Sequence, residues 1–323
     1  MWICDLADAL SLSAFRLRAG KEAAGQLAAV ADWHYPLGSP ETPRQRRSRL
    51  YLRSLCYARS TARWLGFLWS DPSRLAAARS NRDLVEKIHR PYLRKDLGSA
   101  ERLALLESHY RFGASQPHGA LLVSATLRDF PLAELDGKTG KTLRLVLGPA
   151  GSLQKEGELR LSLEYDGLAL LSLAFTLGMV AGGPALFVGC LQGSPDEAVR
   201  EAIRDATKEM FGLRPRQLLL VALQAIARAY GLSAIVGVSD SLHIYRHWRK
   251  RREIMQSYDA MWLDLGATRQ AGGMFELPLL HQQRPLTDYP SNKRSAMAKR
   301  QALEQLVAER ILQTIARQGP ADT

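Results

Sequence analysis

Apolar positions recur with a helical period over the first ~130 residues and with a strand period from about residue 140 onward. In RQRRSRLYLRSLCYARSTARWLGFLW, Tyr51, Leu55, Ala58, Ala62, Leu65 and Trp69 return at steps of four and three. That spacing predicts one helix with a single apolar face among arginines. PLGSPETP, residues 36–43, predicts a loop before it, and AERLALLESHYRFG predicts a second helix that Gly113 stops. KTLRLVLG and GELRLSLEYDG then alternate apolar with polar residues, as strands with one buried face do. LALLSLAFTL and ALFVGCLQG follow after short connections, which predicts a meander of about four antiparallel strands. Glu164 and Asp166 close one of these strands and are read as turn residues.

The helical period then returns. SPDEAVREAIRDATKEMFG carries a Ser cap, acids in its first turn and Gly212 at its end. PRQLLLVALQAIARAYG places Pro215 at a first helical position and Gly231 at the close. SAIVGVS predicts a short buried strand, RREIMQSYDAMWLDLG a helix and GGMFELPL a strand. SNKRSAMAKRQALEQLVAERILQTIARQ predicts a long amphipathic helix with Leu303, Leu306, Ile311 and Ile315 on or near one face. Residues 1–130 therefore read as a helical, basic region, 131–290 as an α/β core and 291–323 as a C-terminal helix.

Composition changes this picture at three points. The chain of 323 residues is 46% hydrophobic, enough for a full core, and its formal charge of +12 favours polyanionic partners without choosing among them. Residues 167–195 carry no charge over 29 residues, long enough to cross a bilayer. The sequence GMVAGGP in their middle breaks that run into two buried strands joined by a turn. Cys4, Cys56 and Cys190 are far apart and lack metal-ligand spacing, which predicts neither disulfide nor metal and suits a reducing cytoplasm. MWICDLADALSL has no basic stretch ahead of its apolar part and is not read as a secretory signal.

The order of elements (meander, helix, Gly-Arg-Pro turn, helix, strand, helix, strand) resembles the core of the GNAT acetyltransferases. The fold class expected from it is α+β, a GNAT-like mixed sheet with an N-terminal helical region. In that fold the donor's pyrophosphate sits at the start of a central helix, where unpaired amides and the helix dipole favour anions. In MFGLRPRQLLL the corresponding residues are Gly212, read as allowing close approach, with Arg214, Arg216 and Gln217 binding the donor. The usual glycine-rich loop is absent, and one additional helix precedes the turn. An ordinary turn with solvated arginines is the competing interpretation.

His243 follows a strand end and is the candidate general base, with Tyr258 as proton donor and Asp259 as orienting carboxylate. The alternatives are a structurally satisfied histidine and the buried face of a helix. Cys190, in an apolar run, is not read as a nucleophile. HIYRHWRKRR, residues 243–252, packs five fixed positive charges and two imidazoles into ten residues. It is read either as a solvated basic helix or as a docking point for an acidic carrier protein or a tRNA acceptor stem.

FVGCLQG, TKEMFGLRPRQLLL, IVGVSDSLHIYR, SYDAMWLDLG, FELPL and SNKRSAMAKRQ together resemble the VirK/YbjX family of bacterial proteins, over roughly residues 100 to 315. The resemblance implies an association with virulence, envelope integrity and antimicrobial-peptide resistance in Gram-negative bacteria, and it names no reaction. The expected function is a cytoplasmic GNAT-like acyl- or aminoacyltransferase acting on an envelope component or protein amine. Its donor would be an acyl-CoA, an acyl-carrier protein or an aminoacyl-tRNA, with no metal. The alternative is a non-enzymatic protein, peripheral at the inner membrane, whose basic helices bind anionic lipid; in the 44–69 helix a basic face with Trp and Phe at one end suits anionic headgroups.

Overall fold

The computed structural model describes residues 2–37, 44–245, 257–280 and 283–318. The chain forms two compact units, Met1–Tyr92 with Asp96–Tyr110, and Leu93–Lys95 with Arg111–Thr323.

The first unit contains α1 (Trp2–Ala19), α2 (Lys21–His34), α3 (Arg44–Cys56), α4 (Ala58–Trp69), α5 (Pro72–Ser80) and the part of α6 (Ser99–Ser115) up to Tyr110. The single helix expected over residues 44–69 is two, broken at Tyr57, whose φ of −114° and ψ of 37° leave the helical region. The buried positions Leu50, Tyr51, Ser54, Ala58, Thr61, Trp64, Leu65 and Leu68 run on through the break at helical spacing, so periodicity cannot reveal it. Trp64 and Phe67, which gave this segment its membrane-surface look, are buried in the unit's own core. Likewise α6 passes through Gly113 to end at Ser115.

Arginine and histidine are taken into this core with partners. Arg102 donates to the carbonyls of Ile88, Arg90, Leu97 and Gly98. His89 Nε2 lies 2.9 Å from Thr61 Oγ1, and the ring stacks on Tyr57. Burial foremost, then the Arg53, Arg90 and Arg102 charges, lower the His89 pKa from 6.5 to about 3. Its contribution to stability is complete above pH 6.5 and is lost as pH falls, because the unfolded chain then takes up a proton that the folded chain refuses. From pH 7 to pH 5 this group alone should remove about 2 kcal/mol. Urea midpoints at the two pH values should show that loss in the wild type and a much smaller one in His89→Gln. Equal losses would mean that His89 is not the titrating group.

Among the described residues the second unit is built on one sheet of eight strands, β1 (Phe130–Asp136), β2 (Thr142–Pro149), β3 (Leu159–Tyr165), β4 (Leu168–Val180), β5 (Gly183–Gly193), β6 (Ala234–Gly237), β7 (Thr268–Arg269) and β8 (Phe275–Leu277). Their order across the sheet is β1-β2-β3-β4-β5-β6-β8-β7. The meander has five antiparallel strands rather than four, because FPLAELD pairs with β2. The β3–β4 hairpin turns on Asp166 and Gly167, both at positive φ (46° and 80°), the backbone that a two-residue Asp-Gly connection supplies. The uncharged run folds as expected into β4 and β5, paired from Val180↔Gly183 outward. Among the described residues no helix is long and apolar enough to cross a membrane.

Next along the chain are α7 (Gly119–Ala125), before the sheet, then α8 (Glu197–Glu209) and α9 (Pro215–Ala229) between β5 and β6. They are followed by α10 (Tyr258–Asp264) and α11 (Ser291–Arg317). Asp196, not a serine, caps α8 by accepting from the Ala198 amide. Helix α9 lies along β3, β4 and β6, with α11 packed on α9 and β1. On α11, Leu303, Ile311 and Ile315 face the core as expected, but Val307 takes the buried place foreseen for Leu306, which is exposed. The fold is thus α+β, with a mixed sheet whose one parallel pair among the described residues, β5 and β6, brackets α8 and α9.

Candidate functional site

The α8–α9 turn is set by two consecutive left-handed residues, Phe211 (φ 54°) and Gly212 (φ 84°). The Gly212 amide donates to the Thr207 carbonyl and closes α8. A Cβ on Gly212 would meet nothing within 4 Å, so the glycine answers to its backbone angle and not to the close approach expected of it. Pro215 occupies the first helical position of α9, and Gln217 caps the helix by accepting from the Arg214 amide. Arg300 of α11 donates to the same Gln217 oxygen, which leaves that side chain engaged in structure.

A cavity of about 580 Å³ opens at this helix start. Leu171, Leu191, Ile203 and Pro215 form its apolar wall, and Arg204, Thr207, Arg214 and Arg216 supply its polar groups. Asp264, the last residue of α10, lies 2.5 Å from Arg216 and 3.8 Å from Arg214. Arg216 Nε is buried and has no hydrogen-bond partner among the described residues. Three guanidinium groups beside an apolar wall suit an amphiphilic anion, and the Asp264 carboxylate stands where a ligand's charge would compete.

The expected catalytic residues form a different cluster. Strand β5 pairs with β6 only over Ala185–Val188, and the last link is the Val238 amide to the Val188 carbonyl. Beyond it, residues 153–157 cross β5 so closely that a Cβ on Gly189 would lie 1.9 Å from the Glu156 carbonyl oxygen. Leu93 donates to Lys155 and Lys95 donates to Leu242, with an Arg94↔His243 bridge between them.

His243 is 1% exposed in this crossing. Its Nδ1 accepts from the Tyr245 amide at 3.4 Å. Its Nε2 sits 3.0 Å from Glu156 Oε1, off the line of a good hydrogen bond, so the pair is a close electrostatic approach. Tyr258 stacks on the imidazole at 4.7 Å between centroids. Burial foremost, with the Glu156 charge adding, pushes the Tyr258 hydroxyl well up and makes it a poorer proton donor than a free tyrosine. Burial also pushes the Cys190 thiol well above its ordinary value, with Glu156 adding to the shift, consistent with its reading as no nucleophile.

Asp259 accepts from the Asp240 amide and meets Arg269, while Asp240 accepts from the Tyr258 amide and the Ser257 hydroxyl. These bonds fasten the start of α10 to the exit of β6. The structure thus joins His243 to Tyr258, and Arg214 to Arg216. None of His243, Tyr258 and Asp259 is among the residues lining the cavity. Glu156, Arg204 and Asp264 complete the two clusters and were not singled out in the sequence. Residues 246–252 of the basic stretch lie outside the described residues. Among the described residues, no group of three or more His, Cys, Asp or Glu side chains is placed to hold a metal.

This α+β chain matches the family model described as "Protein of unknown function (DUF535)" over residues 41–313, and it belongs to that family. It is 30% identical over 261 residues to "Uncharacterized protein YbjX" of Escherichia coli (strain K12), covering 79% of this chain and 78% of the relative. That agrees with the VirK/YbjX resemblance of its motifs. It is also 28% identical over 131 residues to an "Uncharacterized protein" of Haemophilus influenzae, covering 41% of this chain and 44% of the relative. No solved structure matches the chain.

Proposed function

We propose that the protein is a GNAT-like acyl- or aminoacyltransferase that takes an anionic donor at the start of α9. One observation carries the reading: the arginine-rimmed, apolar-walled cavity at that helix start, beside a sheet in which β5 and β6 run parallel and then part. The strand order supports it, since a meander, a parallel partner and a closing antiparallel pair follow the succession of the GNAT core. A thioester or ester donor that carries phosphate would place its charge on Arg214 and Arg216 and its acyl part along Leu171, Leu191 and Ile203. Acyl-CoA, acyl-carrier protein and aminoacyl-tRNA all fit that description. In this reading the buried His243 and Tyr258 hold the parting strands in place; the acceptor's amine or hydroxyl bonds to the donor's acyl carbon, the thioester or ester bond breaks, and the acceptor's proton ends on the departing thiol or hydroxyl.

Isothermal calorimetry with palmitoyl-CoA, acyl-carrier protein and aminoacyl-tRNA tests the reading. One of them should bind, and Arg216→Glu should weaken it about tenfold or more, the value of one charge-assisted hydrogen bond. Asp264→Asn should tighten binding by removing the competing carboxylate. A wild-type protein that binds none of the three, or an Arg216→Glu protein that binds as the wild type does, would refute it.

A further inference from the structure

We infer that the outer face of α1 is a docking surface for an anionic lipid bilayer, a property separate from the donor cavity. Leu6, Leu10 and Leu17 are 63%, 62% and 90% exposed. At about 100° per residue they fall within roughly 40° of one another, a single stripe along three turns of helix. Isolated exposed leucines are ordinary, but three in line on one helix are an apolar face that none of the described residues covers. Leu52, on the neighbouring α3, is also exposed.

Charge selects the occupant. Arg16 and Arg18 are both exposed and flank the stripe on opposite sides by helical phase, and exposed Lys21 follows at the start of α2. Asp8 falls on the other side of α1, toward buried Tyr51. A second copy of the chain would set these cations against their own kind, whereas acidic headgroups neutralise them while the leucines enter the acyl region.

The same unit carries a place for a headgroup. Arg18, next to Leu17 in the chain, lines a cavity of about 490 Å³ together with Arg59, Ser60 and Ser99. Ser60 and Ser99 hydroxyls stand 3.4 Å apart at the starts of α4 and α6. Two guanidinium groups and two hydroxyls there are donors suited to a lipid phosphate.

Co-sedimentation of the full chain with phosphatidylglycerol–phosphatidylcholine vesicles, against phosphatidylcholine alone, tests the inference. The protein should sediment with the acidic vesicles, less so as salt rises, and Leu10→Glu and Leu17→Glu should each weaken binding by about tenfold or more. Arg18→Glu should weaken it as well. Because these side chains are exposed, the variants should keep the wild-type unfolding midpoint, so lost binding is not lost folding. The Arg216→Glu protein should bind vesicles as the wild type does, which keeps this test apart from that of the donor cavity. Absence of wild-type binding to acidic vesicles, leucine variants that bind undiminished, or a wild-type dimer that Leu17→Glu dissociates without any vesicle binding would each overturn the inference.

Discussion

Gly189→Ala is expected to cost about 3 kcal/mol of stability, the upper end of ordinary overpacking. The reason is geometric. The added methyl would stand 1.9 Å from the Glu156 carbonyl oxygen, a backbone atom held by its neighbours on both sides, so no rotamer change relieves the clash. Lys155 is tied to Leu93, Glu156 donates its amide to Leu153, and Glu158 is bonded to Phe175 in β4. Moving this segment also moves the Glu156 carboxylate away from His243 and Cys190. Cys190 has no exposed surface and should resist thiol reagents in the wild type. In Gly189→Ala it should become reactive, and the urea midpoint should fall in parallel. A loss under ~1 kcal/mol with Cys190 still protected would show that the crossing is loose.

Glu86→Ala should be comparably damaging in the first unit, at about 3 kcal/mol. Glu86 is almost fully buried and accepts from the Tyr35 hydroxyl, from Arg53 at 3.1 Å and from Arg90. Tyr35 is buried too, and burial together with its bond to Glu86 pushes its hydroxyl well up. Truncation leaves that hydroxyl without its acceptor and two guanidinium groups facing one another. The arginines are about one-third exposed, and water can solvate part of what they lose, which places the estimate at the lower end for a broken buried pair. Denaturant unfolding of Glu86→Ala, Tyr35→Phe and the double variant measures the coupling. Strict additivity would mean that the two side chains do not act together.

Much of the second unit was legible because its elements announce themselves locally. Glycine and proline between β4 and β5 ruled out a spanning helix, and Pro215 marked the start of α9. Strand β1 escaped because FPLAELD is short and carries a proline and two acids, so its place is set by pairing with β2 and not by its own pattern. The break at Tyr57 escaped because the apolar stripe continues across it.

The site divides in the same way. Arg214 and Arg216 could be found because a Gly-x-Arg-Pro-Arg turn before an apolar helix places charge at a helix start whatever surrounds it. Glu156, Arg204 and Asp264 could not, since Arg204 lies 10 residues from Arg214, Asp264 48 from Arg216 and Glu156 87 from His243, and no local pattern marks them. Burial of His243 was equally hidden, because it depends on residues 93–95 and 153–157 meeting beyond the end of the β5–β6 pair.

The sequence by itself determined the helical or strand character of most segments of the second unit, that the chain is basic, and where an anion would find a helix start, because hydrophobic period, turn chemistry and capping act within a few residues. Only the tertiary structure decided that the imidazole is enclosed against a carboxylate while the arginines open to a cavity, and that the leucines of α1 are left facing outward. Exposure and pairing of that kind depend on which distant segments pack together, and packing free energy is a property of the assembled surfaces rather than of any one stretch of chain.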